Sequence, residues 1–330
     1  MAISLSLPSK PTFVLVSGAW HDTSYWDKVI ARLSKQGYRA GPVALRSASA
    51  EPTTAFIDDV DAVRDVIRKE VSRGCDVVVV AHSLGSVAGA SAIKGFARSR
   101  GCRGGQEEQD TTATTTISVM NEKGKGKGCG HVIGFVALAT GFLPTGVCFL
   151  QAVGGRPPPL WRFSSGPLVT TEEDVEDDGE STTRAFATIR VSAREAFYND
   201  MPVEEGEQWV ERLSPQSAAT ITQGGKFVYS GWLDVPCWSL VTTEDRAFPP
   251  EAQRAMAQAA RDAGADIWSE EIAAGHSPML SRPAETVDFL RRAAVAFGEK
   301  ASSGIRREGL VTGNVKHENF CLEAHEVHIL

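Results

Sequence analysis

The chain has 330 residues, of which 42% are hydrophobic and 23% are charged, and its formal net charge is −7. This balance is typical of a globular protein with enough apolar residues for a sizeable core. The acidic net charge argues against nucleic acid as the main partner, because phosphate binding requires a concentrated basic surface.

The N-terminal residues do not have the pattern of a signal peptide. The segment MAISLSLPSKPTFVLVSG lacks a charged region followed by a long apolar stretch, and its first apolar run, residues 13–16, is typical of a strand. Elsewhere no stretch approaches the roughly 18 uninterrupted apolar residues of a membrane span. We therefore expect a cytoplasmic protein with no membrane partner.

Strand and helix patterns alternate in the first part of the chain. The predicted elements, in chain order, are a strand at residues 13–17, a helix at 24–36, a strand at 38–43, a helix at 53–72, a strand at 76–81 and a helix at 87–97. The third strand contains the run VVVV, which is apolar on both faces. Such a run is typical of a central strand in a parallel sheet.

Residues 98–130 break this pattern with low-complexity, polar stretches such as TTATTT and GKGKGKGCG. A segment of this composition cannot bury enough apolar surface to offset its ordering entropy, so we predict a flexible surface insertion. The run HVIGFVALA at residues 131–139 then predicts another buried strand.

The second half of the chain contains a different region between two strands. Residues 140–225 are Pro-rich, acidic around 172–180, and have helical stretches near 183–198 and 204–213, which predicts a helical cap inserted after the sixth strand. The remaining predicted elements are a strand at 235–243, a helix at 250–263, a strand at 266–272 and a helix at 284–297. Together they predict one domain over residues 11–298 and a disordered tail over 299–330.

Alternating strands and helices imply a mostly parallel, doubly wound sheet covered on both faces. Ligands of such α/β sheets bind beyond the carboxyl ends of the strands. Three loops with reactive residues follow predicted strands and are expected to meet there.

The first of these loops contains Ala81-His82-Ser83-Leu84-Gly85, directly between the VVVV strand and a helix. This is the context of a nucleophile elbow, a tight turn whose small neighbours expose a serine at a helix N-terminus. A serine that only caps the helix is the alternative. We predict that Ser83 is the nucleophile.

The second loop contains Gly275-His276-Ser277-Pro278, just after a predicted strand. An imidazole there can reach a serine on a neighbouring strand and exchange a proton near neutral pH. His82 adjoins the serine and is expected to point away from it, and His131 precedes a strand at the opposite end of the sheet. We therefore predict that His276 is the general base.

The third loop, Thr243-Glu244-Asp245-Arg246, ends the strand at residues 235–243. A carboxylate at this point can hold the second nitrogen of the imidazole and stabilise the imidazolium. We favour Asp245 over Glu244, and capping of the following helix is the alternative for this aspartate. The loop after the first strand, residues 17–20, is placed to supply Ala19 N–H as an oxyanion donor beside Leu84 N–H.

At these residues the chain resembles the α/β-hydrolase superfamily, and particularly the small esterase branch with plant methylesterases and hydroxynitrile lyases. SGAWHDTSYW is similar to the HGAxHxxxxW loop of that branch, AHSLG to its elbow, TEDRAFPPEAQ to its acid loop and AGHSPMLSRPAETVDFL to its histidine loop. The resemblance covers residues 13–297, except the insertion and much of the cap. The chain order Ser83, Asp245, His276 is the order associated with this fold.

Several positions depart from the pattern of the family. Ala81 replaces the more usual Gly of the elbow, and Ser17 stands where the family has His. The lyases that resemble this chain have Thr and Lys where this sequence has Gly18 and Ser277. The departures at Gly18 and Ser277 favour hydrolysis over lyase chemistry.

These residues predict a serine hydrolase that cleaves a small or medium-sized carboxylic ester or lactone through an acyl-enzyme. The scattered cysteines give no metal or redox motif, so we expect neither a metal nor an organic cofactor. A carbon–carbon bond hydrolase or lyase, or a non-catalytic ligand-binding homologue, are the alternatives. The side chains expected to wall an apolar pocket are Trp20, Phe142, Leu143, Trp161, Phe197 and Trp209.

Overall fold

The protein is described from a computed structural model. The structure describes residues 10–49, 54–98, 129–156, 161–164, 186–189 and 192–303. Most of the predicted insertion at residues 98–130, and the predicted tail beyond residue 303, lie outside the described residues.

The described residues contain nine strands, in chain order: β1 Thr12–Val16, β2 Arg39–Val43, β3 Val77–His82, β4 Val132–Leu138, β5 Trp161–Ser164, β6 Phe186–Ile189, β7 Gln216–Ser217, β8 Cys237–Thr242 and β9 Ile267–Ile272.

The α-helices of the same part of the chain are α1 Asp27–Lys35, α2 Phe56–Val71, α3 Gly85–Ala92, α4 Phe149–Ala152, α5 Ala193–Phe197, α6 Val203–Val210, α7 Ala219–Thr222, α8 Pro250–Asp262, α9 Pro278–Ser281 and α10 Pro283–Ser303. Short 3-10 turns occur at Thr23–Trp26, Gly225–Phe227 and Gly231–Leu233.

The central sheet has six strands in the order β2-β1-β3-β4-β8-β9, and every neighbouring pair is parallel. Every residue of β3 and β4 is buried. Because successive side chains of a strand point to opposite faces, both faces of the sheet must be covered. Helices α1 and α10 pack together, and α2 packs against α3. The predicted mostly parallel, doubly wound α/β sheet is confirmed.

The segment between β4 and β8, residues 139–236, is called the inserted segment below. Among the described residues it follows β4, the fourth strand of the central sheet in chain order, and not a sixth strand as expected. The segment contains short helices and a small antiparallel sheet in the order β5-β6-β7. The helix predicted near residues 183–198 is replaced by β6 and the short α5, because β6 pairs with β5 and β7.

The end of the domain also differs from the prediction. Helix α10 continues to Ser303, so residues 299–303 are helical rather than part of a disordered tail. Lys300 Nζ pairs with Asp266 Oδ2, and Arg98 donates to the carbonyl of Ala301 at 3.2 Å, which extends the helix beyond its last buried apolar residue, Phe297. None of the described helices has the length and apolar character to cross a membrane.

Candidate active site

Ser83 lies in a tight turn between β3 and α3. Its φ angle is +50°, a left-handed conformation that costs free energy for a residue with a side chain and is concentrated at functional sites. Gly85 is required here because a Cβ would collide with the carbonyl oxygen of Ser17, and a Cβ on Gly18 would lie 2.8 Å from His82 Nδ1. The glycines let the loop after β1 approach the turn that presents the serine.

A series of hydrogen bonds joins the three predicted side chains. His276 Nε2 lies 3.0 Å from Ser83 Oγ, and His276 Nδ1 lies 2.9 Å from Asp245 Oδ2. A carboxylate can only accept, so Nδ1 carries the proton and Nε2 accepts from the serine hydroxyl. The imidazole and the carboxylate are buried, with side-chain exposures of 3% and 0%.

The carboxylate of Asp245 is held by donors from the end of β8, from its own loop and from α8. Oδ1 accepts from the backbone N–H groups of Ala247 and Phe248 at 2.9 and 2.8 Å. Oδ2 accepts from Thr242 Oγ1 at 2.8 Å and Gln253 Nε2 at 3.0 Å, in addition to His276. These bonds fix the orientation of the carboxylate. The alternative carboxylate, Glu244, is exposed.

The loop after β1, residues 17–22, lies beside the serine and is called the β1 loop. Neither Ala19 N–H nor Leu84 N–H donates to a protein acceptor in the described residues. The N–H of Trp20 is already used, since it donates to Gln216 Oε1 at 3.2 Å. Of the two neighbouring amides, Ala19 is therefore the one left available to a bound group.

An apolar pocket opens over Ser83 and His276. Including its opening to solvent, it encloses about 720 Å³. Four of the predicted wall residues line it: Trp20, Leu143, Trp161 and Phe197. Sequence reasoning missed the others, which include Phe149, Ala152, Val153, Ala247, Phe248 and Met256. The described lining contains no Asp, Glu, Lys or Arg side chain.

Two predicted wall residues lie elsewhere. The ring of Phe142 packs against Phe135 and Trp232, with centroids 6.2 and 6.1 Å apart, so it belongs to the core beneath the pocket. Trp209 is in α6, where the guanidinium of Arg212 covers its ring at 4.8 Å. An aromatic side chain has the same sequence signature whether it faces a cavity or the core, so these two positions could not be separated beforehand.

Sequence reasoning also missed the functions that two buried histidines have beside the site. His82 points away from Ser83, as expected, and its Nε2 donates to the carbonyl oxygen of His276 at 2.7 Å. His21 Nδ1 donates to the carbonyl oxygen of Ala19 at 2.6 Å, and its Nε2 accepts from Tyr198 Oη at 2.8 Å. No local sequence pattern predicts these hydrogen bonds, because their partners are up to 194 positions apart in the chain.

Burial keeps both histidines neutral. It lowers the pKa of His21 to about 4, although the bond to Ala19 acts in the opposite direction. It also lowers the pKa of His82 well below its usual value, and the nearby imidazoles of His276 and His21 add to this effect. Each therefore has one N–H donor and one acceptor nitrogen near neutral pH.

The described residues contain no group of His, Cys, Asp or Glu side chains that could hold a metal ion. The candidate site is thus composed of a serine, an imidazole, a carboxylate and two available amides, next to an apolar pocket. In chemical terms, this arrangement can transfer a proton from a hydroxyl and accommodate an uncharged organic molecule.

Curated proteins of similar sequence are hydrolases. Alpha/beta hydrolase nvfD of Aspergillus novofumigatus is 25% identical over 286 residues, which is 86% of this chain and 97% of that protein. Esterase PIR7B of Oryza sativa subsp. japonica is 24% identical over 307 residues, which is 88% of this chain and 98% of that protein.

Solved structures share the fold. The crystal structure of polyneuridine aldehyde esterase superimposes with a TM-score of 0.60 at 18% identity, covering 86% of this chain and 99% of that one. Tomato methylketone synthase I gives a TM-score of 0.57 at 16% identity, covering 88% and 99%. The model of the Alpha/beta hydrolase family matches residues 13–289. The chain therefore belongs to the alpha/beta hydrolase family.

Proposed function

We propose that this protein is a serine hydrolase that cleaves a small or medium-sized, uncharged carboxylic ester or lactone. The observation that carries the proposal is the hydrogen-bonded series from Asp245 through His276 to Ser83, with distances of 2.9 and 3.0 Å. The hydrolase relatives and the family membership support the broader class.

In the proposed first half-reaction, Ser83 Oγ attacks the ester carbonyl carbon while His276 Nε2 takes the hydroxyl proton. Asp245 stabilises the imidazolium that forms, without itself taking the proton. The tetrahedral intermediate collapses as His276 returns that proton to the leaving alcohol, which leaves an acyl group on Ser83. A water molecule then repeats the sequence and releases the acid.

The oxyanion of each tetrahedral intermediate is proposed to accept from Ala19 N–H and Leu84 N–H. Both amides are without a protein acceptor in the described residues, and Leu84 lies at the start of α3, where the helix dipole favours negative charge. Removing one such donor typically slows catalysis by about a hundredfold or more.

The composition of the pocket supports an apolar substrate. A described lining without charged side chains provides no partner for a carboxylate or an ammonium group, and burying an unpaired charge is expensive. The rings of Trp20, Trp161 and Phe149 form a connected wall, with centroids 5.4 and 5.1 Å apart. We therefore expect the inserted segment to act as a cap that selects a hydrophobic acyl or alkyl group.

Two observations argue against the lyase alternative. The Thr that the resembling lyases have at position 18 would place its Cβ 2.8 Å from His82 Nδ1. Ser277, at the position of their Lys, has a fully buried side chain with no hydrogen-bond partner in the described part of the chain. Gly18 and Ser277 therefore supply neither the hydroxyl nor the amine that the resembling lyases have at these two positions.

The test is covalent labelling. Intact mass is measured after treatment with a fluorophosphonate, for the wild type, Ser83→Ala and His276→Ala, in parallel with hydrolysis of p-nitrophenyl esters of increasing acyl length. We expect one adduct on Ser83 of the wild type, none on Ser83→Ala, and loss of hydrolysis in both variants. A folded wild type that neither reacts nor hydrolyses any ester would refute the proposal and favour the ligand-binding alternative.

A further inference from the structure

Four consecutive residues of the inserted segment, 197–200, contact all the loops that carry the candidate site apart from the elbow itself. They are called the bridging segment. It begins at the last residue of α5 and ends before α6. The three loops concerned are the β1 loop, the acid loop at residues 243–249 and the histidine loop at residues 273–277.

The first residue of the bridging segment, Phe197, lies between two of these loops. Its ring centroid is 5.6 Å from that of Trp20 in the β1 loop and 5.5 Å from that of His276, at interplanar angles of 32° in both cases. The phenyl ring is buried and also lines the substrate pocket. It therefore fixes the spacing of the β1 loop and the imidazole through packing alone.

The second residue, Tyr198, reaches the β1 loop through His21. Its hydroxyl donates to His21 Nε2 at 2.8 Å, and His21 Nδ1–H donates to the carbonyl of Ala19 at 2.6 Å. The carbonyl of Ala19 can only accept, so Nδ1 carries the proton, and the hydroxyl of Tyr198 holds the imidazole in place by donating to Nε2. Since Ala19 supplies the proposed oxyanion donor, the phenol controls the orientation of that residue from outside the pocket.

The third and fourth residues reach the acid and histidine loops. Asn199 Nδ2 donates to the carbonyl oxygen of Glu244, next to Asp245, at 3.0 Å. A Cβ on Gly275, next to His276, would lie 2.7 Å from Asp200 Oδ1 and would also collide with Asn199 Oδ1. Only a glycine therefore permits these side chains to lie directly on the histidine loop.

We propose that residues 197–200 are a positioning segment, through which the inserted segment holds the β1, acid and histidine loops in the geometry required for catalysis. Tyr198 and Asn199 are positioning residues that touch neither the substrate nor the reacting atoms. Catalytic groups act efficiently only when supporting contacts fix their orientation to a fraction of an ångström. The catalytic part of this inference rests on the proposed hydrolase function, whereas its structural part does not.

The experiment compares Tyr198→Phe and Asn199→Ala with the wild type in two independent measurements. The first is kcat and KM for a p-nitrophenyl ester. The second is amide hydrogen exchange of the free protein, followed on peptides that contain the three loops. Tyr229→Phe is the matched control, because it also removes a phenol hydroxyl that has a side-chain partner, Asp234, away from the site.

Tyr198→Phe removes a buried hydrogen bond and leaves His21 Nε2 unpaired, so we expect kcat to fall about tenfold. The bond from Asn199 to the carbonyl of Glu244 is exposed to solvent, so Asn199→Ala should lower kcat by a smaller factor. KM should change less than kcat, since neither side chain contacts the substrate. Amide hydrogen exchange should accelerate in the β1 loop of Tyr198→Phe but not in its acid loop. In Asn199→Ala it should accelerate in the acid loop but not in the β1 loop. Tyr229→Phe should leave both measurements unchanged.

Two outcomes would overturn the inference: an active wild type whose two variants keep their kcat, or variants whose exchange accelerates across the whole inserted segment rather than in one loop. The first result would leave the hydrolase proposal intact. Conversely, loop-specific exchange in a wild type without esterase activity would support the positioning segment and refute the proposed function.

Discussion

The imidazole of His82 donates from Nε2 to the backbone carbonyl of His276 at 2.7 Å. Its other nitrogen accepts from Tyr25 Oη at 2.8 Å, and that oxygen accepts from Gly18 N–H at 2.9 Å. A neutral His82 therefore connects the β1 loop to the histidine loop beneath the pocket. The two loops that would act on the same carbonyl group in the proposed reaction are joined by three buried hydrogen bonds in series.

Tyr25→Phe should break this connection while it preserves packing. The change leaves Gly18 N–H and His82 Nδ1 unpaired in a buried place, so we expect a loss of about 1–3 kcal/mol of unfolding free energy and a lower kcat. Urea denaturation and ester hydrolysis measure the two effects. Tyr38→Phe is the control, since it also removes a phenol hydroxyl, from a ring that packs against Phe13 at a centroid distance of 5.3 Å instead of joining the two loops.

Asp245→Asn should reduce kcat by about 10³-fold or more. An amide cannot accept from His276 Nδ1–H and from the Ala247 and Phe248 amides in the way a carboxylate does, so the imidazole loses the tautomer that accepts from Ser83. The matched control is Glu244→Gln, which neutralises the neighbouring exposed carboxylate. If the two variants were equally active, the assignment of Asp245 would be wrong.

The buried His21 should make the protein less stable at acid pH. Its folded-state pKa is lowered from 6.5 to about 4, so the unfolded chain binds a proton that the folded chain does not. The contribution of the neutral His21 to the free energy of unfolding is therefore fully present above about pH 6.5. It is lost as the pH falls towards 4, by about 3 kcal/mol in total. His82 acts in the same direction.

The variant His21→Asn tests this sign, because its amide can still donate to the carbonyl of Ala19 but does not titrate. The free energy of unfolding, measured by urea denaturation at intervals from pH 7 to 4.5, should fall less steeply for the variant than for the wild type. Parallel curves would show that His21 does not contribute to the acid instability.

Two glycine substitutions should have opposite effects. Gly85→Ala drives a Cβ into the carbonyl of Ser17, so it should strongly destabilise the fold and abolish labelling of Ser83. Gly298→Ala places its methyl group in open space within α10 and should stabilise the protein by about 0.5–1 kcal/mol through helix propensity. Thermal melts of both variants, with fluorophosphonate labelling, give the comparison.

The positions of Ser83, Asp245 and His276 could be predicted because each follows a strand of one parallel sheet. Parallel strands end at the same edge, so three reactive residues far apart in sequence had to meet there. Local signals were also strong: a buried valine run before the serine, and a tight turn with small neighbours after it. The structure brings their side chains within hydrogen-bond distance.

The inserted segment could not be predicted in the same way. Strand β6 pairs with β5, and also with β7, which follows α6, so its conformation depends on partners outside any local window. The helical pattern near residues 183–198 was overridden by that pairing. The contacts of the bridging segment likewise join positions such as Tyr198 and His21, 177 residues apart in the chain.

Trp20 shows how closely the inserted segment is fitted to the sheet that it interrupts. Its carbonyl accepts from Ser214 N–H at 2.8 Å, its N–H donates to Gln216, and its indole Nε1 donates to the carbonyl of Ala187 at 2.9 Å. A segment grafted here from a relative would have to supply all these partners at once. Single substitutions of pocket residues are therefore a better way to change the ligand specificity of this protein than replacement of the whole inserted segment.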